Sequence, residues 1–329
     1  MRYNQLGVTG IELSHVSLGG ASFSHIYGNF DEERSLELIK ETLKRGVNYL
    51  ETGPWYGQGC SEKTIGKALK DVPRESFFIG SKVGRYEQDT SKMFDFSAVK
   101  TAAGVDNTLS LLGLDYVDLI QVHDVTFAPD MSVVLKETLP ALEQAVRDGK
   151  ARYIGIADYD IDLMKEIVEE SDIKISAVLS YAKSTLFDNR LQNYTKYFKN
   201  KGVGVINAAA TGMGLLTNMG PRPWHPASDD VKAICRKASD YCKERNVELA
   251  RIATWFTLSQ PGIDTNICGF YNRTQLIDTL DVLEKGLTEH EQNVLSEVQL
   301  RFFDKIILHW DDVELPAYRA KMDELLKAR

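Results

Sequence analysis

Three apolar, β-prone runs each end in a residue able to handle protons. Tyr49-Leu50-Glu51 ends in a carboxylate, Phe77-Phe78-Ile79-Gly80-Ser81-Lys82 in an ammonium, and Val117-Asp118-Leu119-Ile120-Gln121-Val122-His123 in an imidazole. The turn Gly53-Pro54-Trp55-Tyr56-Gly57 then offers a phenol five residues after Glu51. Each group alone has an ordinary structural explanation: a lysine closing a strand is a solvated end, and a lone histidine a satisfied polar cap. Together on three successive strands, with Tyr56 in the adjoining loop, they form a proton-transfer site. A different chemistry, hydrolysis or isomerisation by the paired carboxylates Glu51 and Asp124, would leave Lys82 without a role.

Such a site needs elements that bring distant strand ends together. Short β-rich runs near 16–20, 46–51, 77–82, 116–122, 152–157, 175–180, 202–207 and 264–268 alternate with amphipathic segments near 31–45, 61–70, 97–112, 132–148, 160–170, 186–200, 246–259 and 273–284. Alternation of this kind predicts a parallel sheet wrapped by helices. Eight pairs closing in a ring leave no sheet edge, so the count predicts a (β/α)8 TIM barrel, whose strand ends share one functional face. Asp31-Glu32-Glu33 and Ser61-Glu62 place negative charge at helix starts, and Gly46, Gly113, Gly149 and Gly202 stand where helices must stop before strands. Residues 2–15 read as a β-hairpin capping the N-terminal mouth, and Val231, Ile234, Cys235, Ala238 and Cys242 mark an extra helix. Residues 288–329 read as a C-terminal helical tail made irregular by Trp310 and Pro316. With no low-complexity linker, 1–329 is expected to be one domain.

Composition narrows the function. Apolar residues at 43% and charged residues at 26% suit a globular protein, and no apolar run reaches the length a membrane helix needs. The polar N-terminus leads straight into a turn, so a cytoplasmic protein is expected. Cys60, Cys235, Cys242 and Cys268 form no CxxC pair, which predicts free thiols and no metal site. A net charge of −8 argues against tracking nucleic-acid phosphates. The expected partner is a small molecule, and the expected assembly a monomer or weak homo-oligomer.

The strand-end constellation resembles that of the aldo-keto reductases, in which Asp, Tyr, Lys and His reduce carbonyls with a nicotinamide cofactor. Tyr56, Lys82 and His123 match, and Glu51 stands where the family has Asp. The resemblance runs from Leu6-Gly7 to about residue 300 and looks closest to the L-galactose dehydrogenase-like branch. It is carried by Ser61-Glu62-Lys63, Gly84-Arg85-Tyr86, His123-Asp124, Val178-Leu179-Ser180-Tyr181, Gly202-Val203-Gly204-Val205-Ile206, Met213-Gly214-Leu215-Leu216-Thr217 and Trp224-His225-Pro226-Ala227-Ser228. It implies an NAD(P)-dependent oxidoreductase acting on an aldose, aldehyde or ketone, with Tyr56 as general acid in reduction and general base in oxidation. Lys82 would favour phenolate at Tyr56, Glu51 would hold the lysine charged, and His123 would orient the carbonyl oxygen.

No strand feeds a GxGxxG turn, so cofactor binding must use barrel loops. The resemblance assigns it to Gly20, Ala21, Ala157, Asp158, Ser180, Asn207, Ala209, Met213, Leu215, Gly269, Phe270, Asn272, Gln275, Asp278 and Thr279. Ala157-Asp158 replaces the family's usual Ser-Asn, and Ser180 its usual Gln. Asp278 repels a 2′-phosphate, and Arg273 is the one nearby cation, which favours NAD over NADP. Phe23, His25, Trp55, Tyr86, Asp124 and Phe127, all in loops after strands, are expected to line the substrate pocket. An alternative is a catalytically weak or inactive redox-sensing regulator that binds dinucleotide.

Overall fold

The chain opens with an antiparallel hairpin, β1 (Tyr3–Gln5) and β2 (Glu12–Ser14). Eight parallel strands follow: β3 (Val16–Gly19), β4 (Tyr49–Glu51), β5 (Phe78–Val83), β6 (Val117–His123), β7 (Ala151–Asp158), β8 (Ala177–Tyr181), β9 (Gly204–Ala208) and β10 (Thr265–Cys268). They close in chain order into a barrel, with β10 pairing back onto β3 through Asn266↔Val16. All eight fall on the runs expected from sequence. The computed structural model describes residues 1–28, 30–304 and 307–327.

Crossovers run through α1 (Glu32–Lys44), α2 (Cys60–Leu69), α3 (Ala98–Leu112), α4 (Leu139–Arg147), α5 (Ile161–Glu170) and α6 (Gln192–Asn200). The extra helix α7 (Asp229–Lys243) precedes α8 (Leu249–Ser259), and α9 (Arg273–Lys285), α10 (Glu289–Val298) and α11 (Asp311–Lys327) complete the chain. Asp31 caps α1 by accepting from Arg34 N at 3.1 Å, and Ser228 caps α7 through Val231 N at 3.3 Å, each contributing about 1 kcal/mol.

The hairpin plugs the underside of the barrel. Leu6, Ile11 and Leu13 join Tyr49, Leu119, Ala177, Ile206 and Ile267 in one buried inner cluster. A fully buried Leu or Ile contributes roughly 1.5–3 kcal/mol. Gly7 makes the approach possible: at φ +50°, a Cβ there would stand 2.5 Å from the backbone of Gly202 and Gly204. A larger cluster fills the layer between strands and helices.

Three expectations are corrected. Residues 186–191 are not helical: Thr185 N bonds to Asp188 O at 2.8 Å, and the Asp188 carboxylate engages Arg190, so helix begins only at Gln192. The segment read as one helix over 132–148 widens into a π-turn at Val134–Thr138, where Pro140 has no N–H for the preceding turn. Pro316 sits inside α11 instead of breaking it, at the loss of one backbone bond. Glu62 lies in the first turn of α2, at the helix start expected for it. It is buried, accepts from Ser81 Oγ and Thr108 Oγ at 2.9 and 2.7 Å, and burial raises its pKa.

No helix among the described residues is long and apolar enough to cross a membrane. The four cysteines are free, with Cys235, Cys242 and Cys268 buried. Among the described residues, no group of three or more His, Cys, Asp or Glu is set to hold a metal ion.

Candidate active site

Strand alternation aims Glu51 of β4, Lys82 of β5 and His123 of β6 into the mouth of the barrel, and all three are buried. Tyr56 follows on the turn after β4. Lys82 Nζ ion-pairs with Glu51, donates to Thr52 O at 2.9 Å, and donates to Tyr56 OH at 3.1 Å. The lysine stem lies against Gly53, where an added Cβ would come within 3.5 Å of it. The His123 ring meets the Tyr56 ring edge-on, with centroids 6.0 Å apart. The longer Glu51 side chain therefore still reaches the lysine. The four groups expected from sequence stand together.

Burial dominates their electrostatics. It raises the Tyr56 phenol above its ordinary value, with the charge of Asp124 adding to the rise and that of Arg85 opposing it. It pulls the Lys82 ammonium well down, against the charge of Asp124. His123 is pulled down to about 3 by burial, with Lys82 and Arg85 contributing and Asp124 opposing, so the imidazole is neutral at pH 7. Asp124 shows the reverse balance: burial works to raise it, yet His123, Arg85 and Lys82 hold it below the usual carboxylate range.

Arg85, in the loop after β5, had no assigned role. It donates to Asp124 Oδ2 at 2.7 Å, stands 3.8 Å from Glu314 of α11, and lies over the Trp55 ring at 4.2 Å from its centroid. Tyr159 donates to Glu314 at 3.5 Å and packs edge-on against Tyr181 at 5.1 Å. The tail thus reaches the mouth of the barrel through Glu314. It is anchored just upstream by Trp310, which is 1% exposed and packs against His225 and Phe187. Lys183 and Arg190 both pair with Asp311 at the start of α11. Beside this anchor, a cavity of about 380 Å³ is lined by Phe127, Asp158, Tyr159, Lys183, Arg190 and Glu314 among others.

The residues expected in the substrate pocket separate. Trp55 and Asp124 stand at the mouth with Arg85. Phe127 stacks on Phe94 at 4.3 Å and meets Tyr318 of α11. Phe23 is fully buried in the main core. Tyr86 turns toward α3, where its OH donates to Lys100 O at 3.4 Å, since Gly84 at φ +101° interrupts the alternation that would have turned it inward. His25 is exposed against Phe30.

The residues expected to hold a dinucleotide cluster after β3, β7, β8, β9 and β10. Gly20 packs so closely that a Cβ would meet Glu51 O at 2.8 Å, and Ala21 follows it in the same turn. Ala157 belongs to the inner cluster. The oxygens of Asp158 accept from Thr126 N and Asp160 N, both at 2.8 Å, and burial with the charge of Asp124 pushes its pKa up to about 8. Ser180 and Asn207 point from neighbouring strands to the outer layer, where Asn207 donates to Asn266 at 3.2 Å. Ala209 and Met213 hold φ of 62° and 52° in the loop after β9, and Leu215 and Phe270 are buried. A Cβ at Gly269 would meet Ser22 Oγ at 3.9 Å, an ordinary contact. Asn272 caps α9 through Gln275 N, Gln275 accepts from Tyr271 N, Asp278 is exposed on that helix, and Thr279 is half-buried. Arg273 is tied to Glu41 by bonds of 2.9 and 3.0 Å.

Tyr27, which sequence reasoning had not picked out, joins three of these loops through Trp224 and Tyr271, by ring contacts of 5.3 and 5.6 Å. Arg222 stands beside Gly28 in the same region.

Residues 15–300 match the profile of the Aldo/keto reductase family. The chain belongs to that family. This aldo/keto reductase is 34% identical over 298 residues to L-galactose dehydrogenase of Arabidopsis thaliana, covering 89% of the chain and 92% of the relative. It is also 34% identical to D-arabinose 1-dehydrogenase of Saccharomyces cerevisiae, over 75% of the chain and 76% of the relative. The holo form of an aldo-keto reductase from Bacillus halodurans superposes on it with a TM-score of 0.72 at 26% identity, covering 91% of this chain and 96% of that one.

Proposed function

We propose that this aldo/keto reductase interconverts a carbonyl and an alcohol, with an aldose or small aldehyde or ketone as substrate and NAD(P) as cofactor. The observation that carries this reading is the bond of 3.1 Å from Lys82 Nζ to Tyr56 OH, made by a lysine that is itself ion-paired with Glu51. A bound nicotinamide dinucleotide supplies or accepts the hydride.

Tyr56 gives its proton to the substrate oxygen in reduction and takes one back in oxidation. Burial alone makes the phenol a poor acid, so the lysine's positive charge, placed to stabilise phenolate, is what brings proton transfer within range. Glu51 supports that charge against the burial that opposes it. His123, being neutral, donates one N–H to the substrate oxygen and orients it without adding a second positive charge beside Lys82.

The mouth favours a hydroxylated substrate. Arg85, Asp124 and Glu314 provide donors and acceptors beside the face of Trp55, and the named activities of the two similar dehydrogenases concern sugars. NAD is favoured over NADP because Glu41 already occupies Arg273. Turnover on a panel of aldoses, aldehydes and ketones, with Tyr56→Phe alongside, tests the reading. The variant is expected to lose activity and keep dinucleotide affinity. Substantial activity in Tyr56→Phe would remove the phenol from the mechanism.

A further inference from the structure

We infer that Asp311 is a positioning residue: its ion pairs with Lys183 and Arg190 latch the first turn of α11 beside the barrel mouth and so keep Glu314 in reach of Arg85. This rests on the proposed reading of that mouth as the place where a hydroxylated substrate binds.

Little else holds α11 in place, since none of its residues is fully buried. Asp311, Glu314, Leu315 and Tyr318 fall at the spacing of one helix face. Leu315 and Tyr318 pack partly buried against the main core, and Tyr318 meets the rings of Phe94 and Phe127 edge-on at 5.0 and 5.4 Å. Trp310 fixes where the chain enters this face, and Asp311 fixes the direction in which the helix leaves. Asp311 pairs with Lys183 and accepts from Arg190 Nη2 at 3.2 Å. Lys183 is 3% exposed, so salt screens its pair with Asp311 less than a pair between two surface side chains. Both cations also hold Asp188, at 3.3 and 2.7 Å, which ties the latch to the loop after β8.

Glu314 lies three residues on, about 4.5 Å along the helix axis. Its contacts are at the limit of reach: 3.8 Å to Arg85 Nη2 and 3.5 Å from Tyr159 OH. A displacement of about 1 Å away from the barrel would end both. Lys183, Arg190, Asp311 and Glu314 line one cavity of about 380 Å³, so loosening the latch alters the wall that Glu314 shares. An acidic residue at a helix start has a simpler use, complementing the positive end of the helix. Asp312 stands in the same turn, 75% exposed, and separates the two explanations.

Hydrogen exchange across 311–327 in the parent, Asp311→Asn and Asp312→Asn reads the latch without turnover. Lys183 and Arg190 keep Asp188 in Asp311→Asn, so the barrel is expected to fold. Exchange in α11 should quicken in Asp311→Asn and stay near the parent's in Asp312→Asn. Asp311→Asn should also raise KM for a hydroxylated carbonyl roughly tenfold, with kcat and dinucleotide affinity unchanged. Equal exchange in the two variants would reduce Asp311 to a helix-end charge and overturn the latch. Faster exchange with an unchanged KM would overturn its link to the substrate. A parent inactive on every carbonyl would count against the proposed function, and the exchange comparison would still decide the latch.

Discussion

Arg85 donates to Asp124 at 2.7 Å with both side chains almost out of solvent, 12% and 7% exposed. This pair joins the loop after β5 to the residue beside His123, and through Glu314 to the C-terminal helix. Breaking a buried pair strands one charge, whereas removing both partners together does not.

Arg85→Met is accordingly expected to destabilise the protein by about 3 kcal/mol and to lower kcat by releasing Asp124 beside His123. Arg85→Met combined with Asp124→Leu should recover part of the stability and none of the rate. Chemical denaturation and steady-state kinetics on the three proteins check this. An additive loss of stability in the double variant would show that the two residues act separately.

Glu51 supports Lys82 by charge. Glu51→Asp is expected to keep or raise turnover, and Glu51→Gln to lower it, because only the carboxylates favour the ammonium. Equal rates for Glu51→Gln and the parent would mean that the pair has no part in catalysis.

Arg273 is held by Glu41. Glu41→Ala should free the guanidinium and shift the ratio of NADP(H) to NAD(H) affinity toward NADP(H) by about tenfold, or 1.4 kcal/mol. Titrating both dinucleotides against parent and variant measures the shift. An unchanged ratio would place the 2′-phosphate out of reach of Arg273.

Asp158 carries a pH signature. Its folded pKa of about 8 lies above that of an unfolded aspartate, so the folded state holds a proton that the unfolded chain has already lost at neutral pH. The resulting stabilisation is complete below about pH 4 and is lost as pH rises through 8. Asp158→Asn should flatten that decline in melting temperature. A parallel decline in the variant would assign it to other groups.

The barrel was legible because each strand is a short apolar run bounded by a glycine or a polar turn, and β3 to β10 all lie where such runs occur. That Glu51, Tyr56, Lys82 and His123 would stand together was legible for a related reason, since each lies at or just beyond a strand end. Arg85 was not, although Gly84-Arg85-Tyr86 drew notice: its partners lie 39 residues away at Asp124 and far down the chain at Glu314. Local periodicity says nothing about such pairings. Tyr86 and Phe23 misled because aromatic residues after strands can turn either to the mouth or to the helical layer, and packing decides which. Residues 186–191 misled because a helical apolar spacing lost to the hydrogen bonds of Thr185 and the ionic contacts of Asp188.

The pairing of β10 with β3 has a consequence during synthesis. Asn266, Ile267 and Cys268 are the strand partners of Val16, Ser17 and Leu18, so the first barrel strand is made some 250 residues before its second neighbour. Until then the nascent chain carries an open edge of unpaired backbone, the kind of surface that invites pairing with other chains. The slowest step of folding should therefore be ring closure, a contact between distant parts of the sequence. Truncation before Thr265 should leave a ribosome-bound chain that associates with itself or with chaperones, in place of a smaller stable barrel.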